Sequence, residues 1–298
     1  MPYEAWSKTC ATLHLWLQIV GKVPLMQLPW IAHSWHVTFS VTARGLATRL
    51  MPHGKKAFQV EFDFLEHRLY VEVSDGRRAI LPLEPQSVAA FYRRFMETLQ
   101  ALEVPVVIRT MPNELPDPIR FDEDETHCSY DAAYANRYWR ALVQMQRAFD
   151  RFRARFAGKC SPVHYFWGSA DLAVTRFSGR TAPEHPGGVP HLPDWVVRDA
   201  YSHEVSSAGF WAGNDQHPHA VFYSYAYPEP PGFAQASVRP PDARYSADLR
   251  EFILPYDAVA QSASPDDVLL EFLESTYQAA AAGGGWPAIA ARHAKAAR

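Results

Sequence analysis

Phe58-Gln59-Val60-Glu61-Phe62-Asp63-Phe64 and, after a turn near Glu66-His67, Leu69-Tyr70-Val71-Glu72-Val73 decide the class of this fold. In the first run Phe58, Val60, Phe62 and Phe64 alternate with Gln59, Glu61 and Asp63. In the second, Leu69, Val71 and Val73 alternate with Tyr70 and Glu72. Successive side chains of a strand point to opposite faces, so each run has one dry face and one polar face. The short turn makes the pair an antiparallel hairpin, and Ser74-Asp75-Gly76 turns the chain again into a strand ending at Leu83.

Working outward, Ser87 caps a helix that carries Val88, Phe91, Tyr92, Phe95, Leu99 and Leu102 on one face. Upstream, Trp6, Cys10, Leu13, Leu17 and Val20 recur at helical spacing and predict an amphipathic helix over about residues 5 to 20, ended by Gly21. From His36 the period becomes two. Val37, Phe39, Val41 and Ala43 form a dry face, and His36, Thr38, Ser40, Thr42 and Arg44 form a polar one. Downstream of a Pro-rich acidic connection, Asp131 caps a long helix through Tyr138, Leu142, Met145, Phe149, Phe152 and Phe156 that ends at Gly158. A strand from Val163 to Phe177, strands at Ala220 to Tyr227 and Glu251 to Tyr256, and a helix opening at Ser264-Pro265-Asp266-Asp267 complete the reading.

The order helix, Gly-Lys, strands, Ile-Leu-Pro, helix occurs twice. Gly21-Lys22 matches Gly158-Lys159, Val41-Thr42 matches Val174-Thr175, and Ile80-Leu81-Pro82 matches Ile253-Leu254-Pro255. The expected fold is therefore α+β, with two related halves produced by internal duplication and antiparallel sheets flanked by helices. The first repeat occupies residues 1–112 and the connection 113–130. The second repeat occupies 131–282 with an inserted loop at about 179–219, and an Ala/Gly-rich tail of 283–298 is expected to be a short helix and a frayed end. Lys22 and Lys159 each follow a predicted helix C-terminus, where a cation complements the dipole without any ligand.

Composition narrows the function classes. The 298 residues carry 29 Lys+Arg against 32 Asp+Glu, a net charge of −3, which argues against a dedicated nucleic-acid binder. With 48% hydrophobic and 20% charged residues the chain can bury a core and is not disordered. The 24 prolines point to long, ordered connections. Three scattered cysteines, Cys10, Cys128 and Cys160, are not a disulfide framework and fit the cytoplasm. The apolar stretch from Ala11 to Ala32 is interrupted by His14, Gln18, Gly21, Lys22, Pro24 and Pro29, so it is read as a buried helix and not as a membrane span.

The insertion holds Glu184-His185, His191, Tyr201-Ser202-His203-Glu204 and Trp211, and a long ordered loop in a compact domain is commonly functional. The alternative is a structural flap with solvated histidines. A metal site needs three or four ligands in one shell, and no HxxxH, HExxH or CxxC spacing occurs, so the sequence implies no metal and names no cofactor. The polar face with His36 and Arg44 is either a solvated sheet surface or one wall of a cleft between the halves.

Several long motifs carry a resemblance. Leu13-His14-Leu15-Trp16, Trp35-His36-Val37, Phe166-Trp167-Gly168-Ser169, Val174-Thr175-Arg176-Phe177 and Tyr201-Ser202-His203-Glu204-Val205 are among them. Through these the chain resembles, over nearly its full length, a bacterial family known only as a domain of unknown function. The resemblance implies no activity, cofactor or catalytic residue.

Two function classes follow. In the first, an intracellular small-molecule enzyme has its site under the insertion, with His164 or His203 as acid/base, Glu204 or Asp171 as the orienting carboxylate and Arg176 as an anion clamp. In the second, a non-catalytic module binds a small ligand or a protein on an aromatic groove of Tyr223, Tyr225 and Tyr227 with Trp167 and Trp211. The expected partner is a small molecule, with neither nucleic acid nor membrane involved. A lid reading of the insertion further requires that His185, His191 or His203 approach His164, Asp171 or Arg176.

Overall fold

A computed structural model describes residues 2–287. After a single turn of 3₁₀ helix at Tyr3–Ala5, α1 (Ser7–Gln27) leads into the first set of strands. These are β1 (Ser40–Val41), β2 (Gly45–Ala47), β3 (Met51–His53), β4 (Lys56–Asp63), β5 (Arg68–Val73) and β6 (Arg78–Pro82). Helices α2 (Val88–Ala101) and α3 (Ala132–Ala154) follow. The second set comprises β7 (His164–Phe166), β8 (Asp171–Thr181), α4 (Asp194–Ala200), β9 (His203–Trp211), β10 (Val221–Tyr227), β11 (Arg244–Ser246) and β12 (Glu251–Pro255). The described chain closes with α5 (Tyr256–Ala260) and α6 (Pro265–Gly283). Residues 288–298 of the expected tail lie outside the described residues.

The fold is α+β with two antiparallel sheets of six strands. The first runs β1-β2-β4-β5-β6 with β3 on β4, and the quoted hairpin is its centre, Val60 opposite Val71 and Phe62 opposite Leu69. The second runs β11-β12-β10-β9-β8-β7. Phe39 and Tyr165 exchange two backbone hydrogen bonds of 2.9 Å and join the sheets edge to edge. One apolar core is continuous across both sheets. The cap assignments hold: Ser87 accepts from the Ala90 amide at 3.1 Å and Asp131 from that of Tyr134 at 3.0 Å. Phe91, Phe95, Leu99, Leu142, Met145, Phe149, Phe272 and Leu273, on the apolar stripes of their helices, are all buried.

The largest difference from the sequence reading lies in α1. It passes through Gly21, Lys22 and Pro24 to Gln27, and every residue from Leu15 to Pro24 is buried. It is the central helix of the core, buried on all sides from Leu15 to Pro24, so its amphipathic period is a poor guide to its ends. Gly21 is needed for packing, since a Cβ there would lie 2.2 Å from the Trp167 ring. Lys22 is not a dipole partner at a helix end. It is buried, donates to the Met111 carbonyl and has its pKa lowered to about 7, by burial first and then by Arg109. Gly158-Lys159, by contrast, lies in the loop after α3.

The other landmarks also sit differently. Ile80-Leu81-Pro82 lies on the edge strand β6, whereas Ile253-Leu254-Pro255 lies on β12 between β10 and β11. Val41 ends the short β1, and Val174 lies within the long β8. Both halves keep the order helix, antiparallel strands, helix. The extended strand expected from His36 is reduced to Ser40–Val41, because His33 and Ser34 adopt positive φ and the chain enters the core irregularly. Val163–Phe177 is two strands, β7 and β8, joined by a turn at Trp167–Ala170.

Candidate functional site

A cavity of about 780 Å³ opens at the ends of the second sheet, where β8, β9, β10 and β12 meet residues 114–119, the start of α1 and the loop 212–216. Strand register decides which side chains face it. Asp171 pairs with Trp211, Ala173 with Gly209, Gly209 with Tyr223, and Ser207 with Tyr225. Residues two apart share a face, so Asp171, Trp211, Tyr223 and Tyr225 stand together, with Glu251 two residues from Ile253, the partner of Tyr223. All five line the cavity.

Asp171 is the centre of this face. It is 7% exposed, and it accepts short hydrogen bonds from Ser169 and Tyr223. Burial raises its pKa, and the two hydrogen bonds pull it back. Tyr223 reaches it across bare backbone: a Cβ on Gly209 would lie 2.4 Å from the Tyr223 Oη. The Tyr201 and Tyr225 hydroxyls meet at 3.0 Å. The turn before Asp171 is held from α1, since the His14 Nε2 contacts the Trp167 and Gly168 carbonyls at 2.9 Å each.

Glu114 enters from the Pro-rich connection. Its backbone is in the left-handed region at φ 63°, unusual for a residue other than glycine. Four hydrogen bonds hold it there. Gln18 on α1 clamps Asn113 by donating to its carbonyl at 2.9 Å and accepting from its amide at 2.8 Å. The insertion clamps it from outside: the Glu114 amide donates to the Pro190 carbonyl at 2.9 Å and the Asn113 side chain to the His191 carbonyl at 2.7 Å. Burial, then Asp171, pushes the Glu114 carboxyl up to about 7, and the same two causes push Glu251 up to about 8. Cys10, in the same wall, is held as a thiol by burial, its pKa raised to about 12. The site thus has a proton inventory poised near neutrality, which is what acid/base chemistry uses.

Of the side chains singled out from sequence, Asp171, Trp211, Tyr223 and Tyr225 converge here and the others do not. Arg176 is five residues from Asp171, hence on the opposite face of β8. There it is 1% exposed, pairs with Glu274 at 3.0 Å and packs on the Phe152 ring, so it is no anion clamp at this cavity. His164 is buried with Nδ1 2.6 Å from the Pro162 carbonyl, and burial lowers its pKa to about 4, which leaves it neutral. His203 lies eight residues along β9 from Trp211, roughly 26 Å at the rise of a strand. It contacts Ser202 and the His33 ring. Glu204 pairs with Arg180 at 2.7 Å. Trp167 donates to the Val37 carbonyl at 2.9 Å from the core. His36 accepts from the Ile31 amide, and Arg44 pairs with Asp63 and Glu66, so neither belongs to a cleft wall here.

The lid reading is corrected in its agents. The insertion does reach the cavity, through Tyr201, Trp211 and the loop 212–216, but its histidines do not. His185 stacks behind Tyr201 with ring centroids 4.8 Å apart. His191 contributes its carbonyl to Asn113. Among the described residues neither of these, nor His203, makes a hydrogen bond, ion pair or ring contact with His164, Asp171 or Arg176.

Sequence reasoning missed Glu114, Glu251 and Tyr201. Glu251 had a readable signal, an acid opening a short apolar strand, and Tyr201 lay in a quoted motif. Glu114 had none, because only tertiary contacts from Gln18 and the insertion give it a place. Among the described residues no group of three or more His, Cys, Asp or Glu side chains is arranged to hold a metal ion. No helix among them is long and apolar enough to cross a membrane.

The model of a family of unknown function, DUF5996, matches residues 1–293. The chain belongs to this family. DUF5996 carries no assigned activity, so the geometry of the cavity has to supply the functional argument. Neither a curated protein nor a solved structure matches the chain.

Proposed function

We propose that this DUF5996 chain is a small-molecule enzyme working by general acid/base catalysis in the cavity around Asp171. Glu114 and Glu251 are the proton-transferring groups, and the Asp171–Tyr223 pair orients the substrate. The observation that carries this reading is Glu114: a carboxyl with a pKa near 7, held on strained backbone beside a second buried acid. Strained residues persist only where surrounding structure over-determines them, and the Gln18 and insertion contacts do that here. The near-neutral net charge supports a small-molecule partner over nucleic acid, and three free cysteines support a reducing, cytoplasmic setting.

The test is to incubate the purified protein and its Glu114→Gln variant with a bacterial metabolite extract and follow the mixture by mass spectrometry. A compound converted by the parent and not by the variant supports the reading. A compound retained unchanged by both turns the cavity into a binding site without catalysis, the role its wall of tyrosines suits. Neither conversion nor retention overturns both readings.

A further inference from the structure

Cys10, His14, Gln18 and Lys22 stand four residues apart on α1 and so share one face of the helix. That face meets the Pro-rich connection and the turn before Asp171. Lys22 donates to the Met111 carbonyl and Gln18 is tied to Asn113 in both directions, so these two are accounted for by structure. His14 is accounted for at only one of its two ring nitrogens, and it lines the cavity.

The tautomer of His14 follows from its neighbours. Nε2 lies 2.9 Å from the Trp167 and Gly168 carbonyls, which can only accept, so Nε2 carries the hydrogen. The Gln18 side-chain nitrogen, 3.1 Å away, is fixed as a donor by the two bonds to Asn113 and offers Nε2 no acceptor. Burial lowers the His14 pKa against the opposing pull of the two carbonyls, and the ring is neutral in neutral solution. A neutral imidazole with its hydrogen on Nε2 has a bare lone pair on Nδ1. None of the described residues bonds Nδ1, and it is not one of the buried nitrogens left without a partner, so the lone pair opens onto the cavity.

Glu114 stands beside this base. A Cβ on Gly168 would lie 1.9 Å from the Glu114 Oε1, and the carbonyl of the same Gly168 accepts from His14. The path through Gly168 keeps Oε1 and Nε2 within about 9 Å of each other, a gap that a small molecule spans. We propose that His14 is a catalytic base of the cavity, its Nδ1 taking a proton from the substrate while the Glu114 carboxyl gives one to a substrate oxygen. This rests on the reading of the cavity as an acid/base site and adds the group that receives the proton. The step leaves an imidazolium and a carboxylate, keeps the charge of the substrate, and needs no oxidant, reductant or co-reactant. Holding the turn and accepting the proton are then separate duties of the two ring nitrogens.

The experiment treats the folded chain with diethyl pyrocarbonate, which acylates accessible, unprotonated imidazole nitrogens, and maps the product by tryptic digestion and mass spectrometry. Peptide 9–22 contains one histidine, His14. It should be acylated in the folded chain, and acylation only after unfolding would overturn the inference, since Nδ1 would then be sealed. The second arm is the metabolite extract with His14→Gln, whose side-chain amide can still donate to the Trp167 and Gly168 carbonyls but has no base. This variant should keep its thermal midpoint and slow the conversion by about a hundredfold or more. If it converts as fast as the parent while Glu114→Gln does not, His14 only holds the turn; the inference fails and the cavity reading stands. If the parent converts nothing, the acid/base reading falls and this inference with it.

Discussion

Tyr223 donates its hydroxyl proton to Asp171 across the bare backbone of Gly209, so a residue with no side chain decides whether the centre of the cavity is assembled. A Cβ at residue 209 would sit 2.4 Å from both the Tyr223 Oη and the Leu172 carbonyl oxygen. Gly209→Ala is therefore expected to displace Tyr223 and to cost about 1 to 3 kcal/mol, as overpacking does, read from the denaturant midpoint. Tyr223→Phe removes only the hydrogen bond and should raise the Asp171 pKa further, since that bond stabilises the carboxylate. An unchanged midpoint in Gly209→Ala would mean that the sheet yields and the hydrogen bond does not depend on this approach.

Stability should fall as pH rises through the glutamate range. Glu114 and Glu251 hold protons in the folded chain up to about 7 and about 8 against an ordinary value of 4.5, so the folded state binds more protons than the unfolded one across that window. Their contribution is complete below about pH 4.5 and lost above about pH 8. His164, lowered to about 4, acts in the opposite sense, but only between about 4 and 6.5. Lys22, lowered to about 7, adds stability as pH rises from about 7 to 10.5. The clean comparison is thus the difference between the parent and the Glu114→Gln, Glu251→Gln variant between pH 6.5 and 8.5. The parent should lose stability relative to the variant, and parallel curves would contradict the assignment.

Arg176 separates structure from function. Its guanidinium is buried between Phe152 and Tyr277 and forked onto Glu274. Removing one member of a buried pair costs about 3 to 5 kcal/mol, so Arg176→Leu is expected to lower the unfolding midpoint strongly. Arg176→Lys should recover only part, because a lysine cannot reproduce the fork. Ligand affinity, measured where each variant is folded, should not change. A selective loss of affinity would restore Arg176 to the site.

Phe149, fully buried on α3, tests the core that both sheets share. Phe149→Ala is expected to cost about 3 to 5 kcal/mol. Two separated unfolding transitions in this variant would show that the halves are stabilised independently; one transition agrees with the continuous core.

Much of this was legible in the residues themselves. The alternation of Phe58 to Phe64 with Leu69 to Val73 specified its hairpin because one face is dry, and Ser87 and Asp131 marked their helices because a short oxygen-bearing side chain satisfies an otherwise orphan amide. The ends of α1 were not legible, since a helix buried all round has no period to lose. In the site, Asp171, Trp211, Tyr223 and Tyr225 could be named, but the histidine-rich insertion drew attention to His203, and parity and distance along the strand take His203 and Arg176 elsewhere. Glu114 depends on its own contact with Pro190 and on those that Gln18, 95 residues from Asn113, and His191 make to Asn113, which no local pattern records.

The most direct test of the account is a carbon-13 NMR titration of the glutamate side-chain carboxyls, with Glu114→Gln and Glu251→Gln used to assign the two signals. Glu114 is expected to titrate at about 7 and Glu251 at about 8, well above the ordinary glutamate value of 4.5. If both instead titrate in the ordinary range near 4.5, the cavity is a solvated surface and the acid/base site does not exist.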